Sequence, residues 1–363
     1  MDKNGVSDKM NLRILFHVYN ISGYFVACLE ELSKHAEIAV IETPCKGINK
    51  GTLATRVRWI DRTQIYGVDD LDAAVAGFRP DVFCCGGWAD KICVKYARLL
   101  HKRGCKTVLL ADTPWQARAR QIIHCFYSRF YLTNTFDYAW VAGAPQERYM
   151  RYLGFPKQRI RQGYYCANTA KFAPIGEERA NRFGREKQWP HVFLYIGRYV
   201  AVKNMRRMEH AFLKAIEQMP ESDWTLRCIG SGTLWDERTI HPRIEHLGYK
   251  RPDEIQEFVK GAGCFVLPSV YEPWGVVVHE AALMGLPMIC SNQVQAATAY
   301  LKEGGNGFSF DPYKEDALSD CFCEIMNSSD DSLAKMGKSG RDLGMLYTTT
   351  DWVETLLTMK RMM

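Results

Sequence analysis

Short apolar runs alternate with amphipathic stretches along most of the chain. In the first half, the runs at residues 12–16, 37–41, 82–85, 107–111 and 138–142 read as strands. The stretches 24–34 and 91–103 carry apolar residues at helical spacing. This alternation predicts βαβ units and a parallel sheet. Residues 171–190 break the pattern: they are polar, hold Pro174 and Pro190, and contain no long apolar run. They read as the approach to a linker that is helical at most in part. A second series follows, with strands predicted at 192–196, 225–229, 244–247, 264–267 and 288–290 and helices at 205–219, 252–260, 276–284 and 314–327. Thr350 or Asp351 suits the cap of a last helix beginning near Trp352. Trp352, Leu356 and Leu357 form an apolar stripe on it with no evident partner in the second series. The last helix is therefore expected to cross back to the first domain. The predicted partition is an N-terminal domain over 1–180, a C-terminal domain over 181–345 and a returning helix over 346–363. The fold class is α/β, with two Rossmann-like doubly wound domains facing a central cleft. Ligands of such sheets bind beyond the carboxyl ends of the strands.

Composition narrows the function classes. A chain of 363 residues, 47% hydrophobic and 24% charged, is long enough for two domains with sizeable cores. Its 13 cysteines are odd in number, form no CxxC pair and sit mostly in apolar runs. That fits buried thiols in a reducing compartment, and neither a disulfide framework nor a zinc site. Residues 1–10 are polar and charged, unlike a secretory leader, and no apolar run approaches the ~20 residues of a membrane span. A cytoplasmic protein is expected. The net charge of +6 is uneven: residues 1–170 hold 24 Lys and Arg against 15 Asp and Glu, and the remainder 23 against 26. A basic first half suits an anionic partner or is a solvated surface.

The second half concentrates the chemistry. In Phe265-Val-Leu-Pro-Ser-Val-Tyr-Glu272-Pro-Trp274-Gly275-Val276-Val-Val-His279-Glu280, a strand ends, a loop carries Glu272, and Gly275 opens a helix. Free amides and the positive dipole end at such a terminus make an anion site. Glu272 and Glu280, eight positions apart, suit neutral sugar hydroxyls rather than phosphates. Upstream, Leu194-Tyr-Ile-Gly197-Arg198-Tyr-Val-Ala-Val-Lys203-Asn204 places two cations after a strand end, fit to neutralise a diphosphate. Cys228-Ile-Gly230-Ser-Gly232 is a glycine turn that admits close approach to the backbone.

These motifs, GRxxxxKN, IGSG, LPSxYEPWG and E-x7-E in that order, resemble the retaining nucleotide-sugar glycosyltransferases of family 4, which have the GT-B fold. Weaker similarity continues at Pro156–Ile160, Asn168–Phe172, Asn306-Gly307-Phe308 and Asp351-Trp352. The resemblance implies that Arg198 and Lys203 hold the donor diphosphate, and that Glu280 binds the ribose. It implies that Glu272 contacts the transferred sugar, and that amides around Trp274, Gly275 and Val276 touch sugar and phosphates. Gly197, Gly230 and Gly232 belong to the same donor site. It implies a UDP- or GDP-linked sugar donor as substrate, with no metal and no further cofactor. It implies a glycan or lipid-linked acceptor, in the synthesis of cell-surface polysaccharide or glycoconjugates. Three departures stand out. Where family members often carry Gly-Gly-x-x-Glu, this chain reads Ser291-Asn-Gln-Val-Gln-Ala-Ala-Thr298. The loop after the first strand has one glycine, Gly23. Asp112 stands where many members have a histidine, which makes it the candidate base on the acceptor side.

Competing readings are testable. His279-Glu280 lacks the second histidine of HExxH, because Leu283 holds that position. Asp70-Leu-Asp72 resembles a metal-binding D-x-D but opens a helical pattern, where capping explains it. Cys84–Gly87 with Trp88 and Asp90 either lines an acceptor cleft or only turns the chain. A dinucleotide oxidoreductase requires GxGxxG after its first strand, and HVYNISGYF lacks it. A non-catalytic GT-B scaffold remains as the alternative, against which the four charged site residues argue. Finally, Trp115 to Phe130 mixes Arg118, Arg120 and Arg129 with Trp115, Ile122, Phe126 and Phe130. The aromatics either face their own core or dock at the inner face of a membrane. Nucleic acid is not expected, since no binding motif accompanies the charge.

Overall fold

The computed structural model describes residues 12–44, 49–251 and 254–361. The polar stretch 1–10 and the expected helix start at Pro252 lie outside these residues. The chain folds as two units, Met1–Cys166 with Thr349–Met363, and Ala167–Thr348.

The first unit holds strands β1 (Arg13–Val18), β2 (Glu37–Glu42), β3 (Arg58–Asp61), β4 (Val82–Gly86), β5 (Lys106–Ala111), β6 (Tyr138–Val141) and β7 (Ile160–Arg161). They form one sheet in the order β3-β2-β1-β4-β5-β6-β7, parallel throughout. Ile14, Leu15 and Phe16 are all fully buried, as expected of a central parallel strand covered on both faces. The last helix, Thr349–Arg361, packs on helix Gly23–Leu32 in this unit. Trp352 is its anchor: the ring lies against Phe16, Phe25 and Trp140, and Nε1 donates to the Tyr164 carbonyl at 2.8 Å.

The second unit holds β8 (Val192–Ile196), β9 (Thr225–Ile229), β10 (Ile244–His246), β11 (Cys264–Leu267), β12 (Met288–Ser291) and β13 (Gly307–Phe310). Their order is β10-β9-β8-β11-β12-β13, again all parallel. Helix Met205–Gln218 buries Met205, Met208, Ala211, Phe212 and Ala215, an apolar stripe at helical spacing.

The boundary expected at residue 180 is corrected to 167. The stretch read as a linker is an 18-residue helix, Thr169–Glu186. Asn168 caps it by accepting from the Lys171 amide at 3.0 Å. Its buried face comprises Thr169, Ile175, Gly176 and Arg179, with little apolar signal to read. Arg179 donates Nη1 to the Val259 and Lys260 carbonyls at 2.7 and 3.1 Å within the unit, while its buried Nε and Nη2 have no hydrogen-bond partner among the described residues. The twelve cysteines among the described residues are free thiols. No described helix is long and apolar enough to cross a membrane.

Candidate functional site

Each sheet reverses its strand order once, between β1 and β4 in the first unit and between β8 and β11 in the second. Loops leaving the carboxyl ends of such a pair diverge and leave a crevice, where ligands of open α/β sheets bind. In the second unit, the loops at this point are Gly197–Asn204 after β8 and Pro268–Gly275 after β11. They carry the sequence-predicted residues.

The β8 loop is closed by Tyr195, whose hydroxyl donates to the Arg198 carbonyl at 3.0 Å. Burial pushes that phenol well above its ordinary pKa, so it stays a donor. The Arg198 side chain is exposed, with no carboxylate in ion-pair range among the described residues. Lys203 ends a short turn, Ala201–Lys203, and its ammonium pairs with the Glu272 carboxylate of the β11 loop. Both side chains are about 15% exposed, so the pair is largely withdrawn from water. Ser269 Oγ adds a hydrogen bond to Glu272 at 3.3 Å.

Backbone bonds fix Glu272 from the other side. Its amide donates to the Gln293 carbonyl, and its carbonyl accepts from the Gln295 amide, both at 3.2 Å. The segment Ser291–Thr298, where the resemblance expected glycines and a glutamate, thus forms a parallel bridge beside Glu272. Asn292, Gln293 and Gln295 present neutral amides there.

Gly275 has φ +96, a left-handed conformation that favours glycine, and caps helix Val276–Leu283. The first amides of this helix, beginning at Val276, have no partner inside it. Trp274 is buried, and its carbonyl holds the Ala296 amide at 2.9 Å. Glu280, on the same helix, is partly buried, and desolvation lifts its pKa from 4.5 to about 7, opposed by the Lys171 ammonium. Around neutral pH its carboxyl is therefore partly protonated, and able both to donate and to accept a hydrogen bond. His279 faces the interior. Nδ1 accepts from the Ala167 amide at 3.1 Å, Nε2 donates to the Gly344 carbonyl at 2.9 Å, and the ring stacks on Tyr300. Burial lowers its pKa to about 4, so it is a neutral staple.

Packing also requires glycine in this turn. A Cβ on Gly230 would lie 1.8 Å from the Gly197 carbonyl oxygen, and one on Gly232 would lie 2.4 Å from that of Tyr199. These glycines let the β9 loop press on the β8 loop.

In the first unit, Asp112 directly follows β5 and accepts from the Tyr165 hydroxyl at 2.9 Å, while Gln146 donates to its carbonyl. The reversal between β1 and β4 brings together a group that sequence spacing hid. His17 on β1 is fully buried and lies 3.6 Å from Asp90, which also pairs with Arg62 at 2.6 Å. Burial drives His17 down to about 4. Burial opposes ionisation of Asp90, but bonds from Arg62 and the Cys93 amide hold it near 2. His17, Asp90 and Cys93 offer ligand atoms within 4.8 Å of one another. The Arg62 guanidinium on Asp90 already supplies the positive charge a metal would bring. Asp90 also caps helix Lys91–Lys102, so it turns the chain. Asp70 accepts from the Tyr66 and Gly67 amides, and Asp72 pairs with Arg103, so the D-x-D pattern is engaged in capping and ion pairing.

Residues 177–343 match the family model described as glycosyl transferases group 1. The match lies within the second unit and covers most of it. An uncharacterised glycosyltransferase of Methanocaldococcus jannaschii is 27% identical over 135 residues, 35% of this chain and 34% of that protein. The O-antigen chain mannosyltransferase B of Escherichia coli is 31% identical over 142 residues, 36% of this chain and 35% of that protein. The chain thus spans about a third of the length of these curated relatives. Anabaena HepE, solved in complex with UDP and glucose, superimposes with a TM-score of 0.70 at 14% identity, over 97% of this chain and all of that one. The fold is GT-B, with two parallel-sheet α/β units.

Proposed function

We propose that this chain is a retaining, metal-independent glycosyltransferase. It moves a sugar from a UDP- or GDP-linked donor to a glycan or lipid-linked acceptor, in cell-surface polysaccharide or glycoconjugate synthesis. Its place is the cytoplasm, at or near the inner face of the membrane. The observation that carries the reading is the Lys203–Glu272 pair beside the Gly275 helix terminus, at the strand-order reversal of the second sheet.

In this reading the donor diphosphate lies against Arg198, Lys203 and the amides from Val276 onward. The charge that develops on the leaving diphosphate is met by groups already in position, an electrostatic term that needs no reorganisation. Lys203 exchanges the Glu272 carboxylate for phosphate, and Glu272 turns to the hydroxyls of the transferred sugar. Glu280, half-protonated at neutral pH, meets the ribose hydroxyls as donor and acceptor. The bond from the anomeric carbon to the diphosphate oxygen breaks while the acceptor hydroxyl attacks the same face. Its proton passes to the released phosphate oxygen. The neutral amides of Asn292, Gln293 and Gln295 replace the family's usual carboxylate, which suits a donor sugar recognised by uncharged hydrogen bonds.

The test is product analysis with α-linked UDP- and GDP-sugars. An α-linked product, read from its anomeric proton coupling, supports retention, and a β-linked product overturns it.

A further inference from the structure

We infer that helix Ala119–Thr133 is an interfacial helix that seats the first unit on an anionic lipid bilayer. The helix is amphipathic in the wrong sense for a core element. Its inward side is held by Gln121, which donates to the Pro114 carbonyl and accepts from the Gln116 amide, both at 2.8 Å. Leu132 is buried on the same side, and His124 stacks on Trp88 and bonds Tyr149. Its outward side carries the large apolar residues. Ile122, Phe126 and Phe130 form one row at i, i+4 spacing, and Ile123, Tyr127 and Tyr131 the next. Phe126, Tyr127 and Phe130 are 79%, 84% and 72% exposed. The sequence alternative, in which these aromatics face their own core, is thus corrected for all but Trp115, which packs on Tyr149 and Tyr152. A contiguous exposed patch of this size marks an interaction surface.

Charge identifies the occupant. At 100° per residue, Arg120 and Arg129 fall on opposite borders of the apolar arc, and Arg118 precedes the helix. The Arg129 stem crosses Gly154, where a Cβ would lie 2.6 Å from its Cγ, so it adjoins the turn carrying exposed Arg151 and Lys157. Residues 113–161 hold eight Lys and Arg against two acids, a net +6 that equals the charge of the whole chain. An apolar strip bordered by arginines is the design of a helix lying in an anionic headgroup layer. A second copy of the chain is disfavoured, because it would bring two such basic faces together.

The inference deepens the acceptor side of the proposed reaction, and its test uses no sugar donor, so either can fail without the other. The purified chain is floated with phosphatidylcholine vesicles, with and without about a third phosphatidylglycerol. Binding to the anionic vesicles alone, weakened by salt, is expected. Arg118→Glu with Arg120→Glu lowers the partition coefficient at least about twentyfold, from roughly fivefold per basic residue. Phe126→Ser with Phe130→Ser also releases the protein. Both double variants keep the wild-type unfolding midpoint, since the altered side chains are solvent-exposed. Equal binding to both vesicle types, binding to neither, or wild-type partition by the variants overturns the inference. So does a solution dimer that Phe126→Ser with Phe130→Ser converts to monomer.

Discussion

At the scale of single residues, the charged positions of the candidate site stood out in sequence because strand, loop and cation or carboxylate recur in fixed order. Their partners were not. The pairing of Lys203 with Glu272 spans 69 positions, and that of His17 with Asp90 spans 73; only the sheet order joins them. Arg198→Ala and Lys203→Ala are each expected to lower kcat/KM for the donor roughly 10- to 100-fold, the worth of one charge-assisted contact. The two differ in stability. Arg198 is exposed, so its loss leaves the urea midpoint unchanged, whereas removing Lys203 strands the partly buried Glu272 and lowers it. Equal midpoints for the two variants contradict the pair. Glu280 supplies a pH test. Its folded pKa of about 7 lies above the ordinary 4.5, so the folded chain keeps a proton that the unfolded chain has released. Stability then falls as pH rises through that window, by at most about 3 kcal/mol, and levels off above it. Glu280→Gln should flatten this part of the stability curve and be the more stable protein at pH above about 7. Superimposable urea profiles from acid to mild alkali contradict the assignment.

At the scale of elements, long apolar runs were legible as strands, but of the four edge strands only β10 was. β3 has four residues, β7 two and β13 four, and all lie at or near a sheet edge, where few apolar positions are needed. The helix Thr169–Glu186 was hidden for another reason. Its inward face uses glycine and arginine, so no stripe marks it. Gly176 is small because helix Val276–Leu283 crosses there: an added Cβ would lie 2.2 Å from the Leu283 carbonyl oxygen. Gly176→Ala is expected to cost about 1–3 kcal/mol through this overpacking. Because the crossed helix also carries Glu280, donor affinity should weaken with it. An unchanged urea midpoint shows that the crossing is looser than described.

At the scale of the molecule, two parallel sheets follow from the alternation of runs and helices, while their strand order came only from the structure and the unit boundary depended on a helix that composition concealed. The charge asymmetry was visible in sequence, but its concentration on residues 113–161 beside an exposed aromatic face emerged only from the structure. The proposed site assigns the work of a divalent metal to Arg198, Lys203 and a helix terminus. Turnover is therefore expected to survive EDTA, and complete loss restored by manganese or magnesium contradicts that division of labour. The central claim is that the carboxyl edge of the second sheet holds a nucleotide sugar through Lys203. Thermal unfolding of the wild type and of Lys203→Ala with UDP- and GDP-sugars tests it most directly. At a hundred times its dissociation constant, the right donor should stabilise the wild type by about 2.7 kcal/mol, and the same concentration should stabilise Lys203→Ala by only about 0.4–1.4 kcal/mol. A donor that shifts both proteins equally, or no shift of the wild type by any nucleotide sugar, would contradict the account.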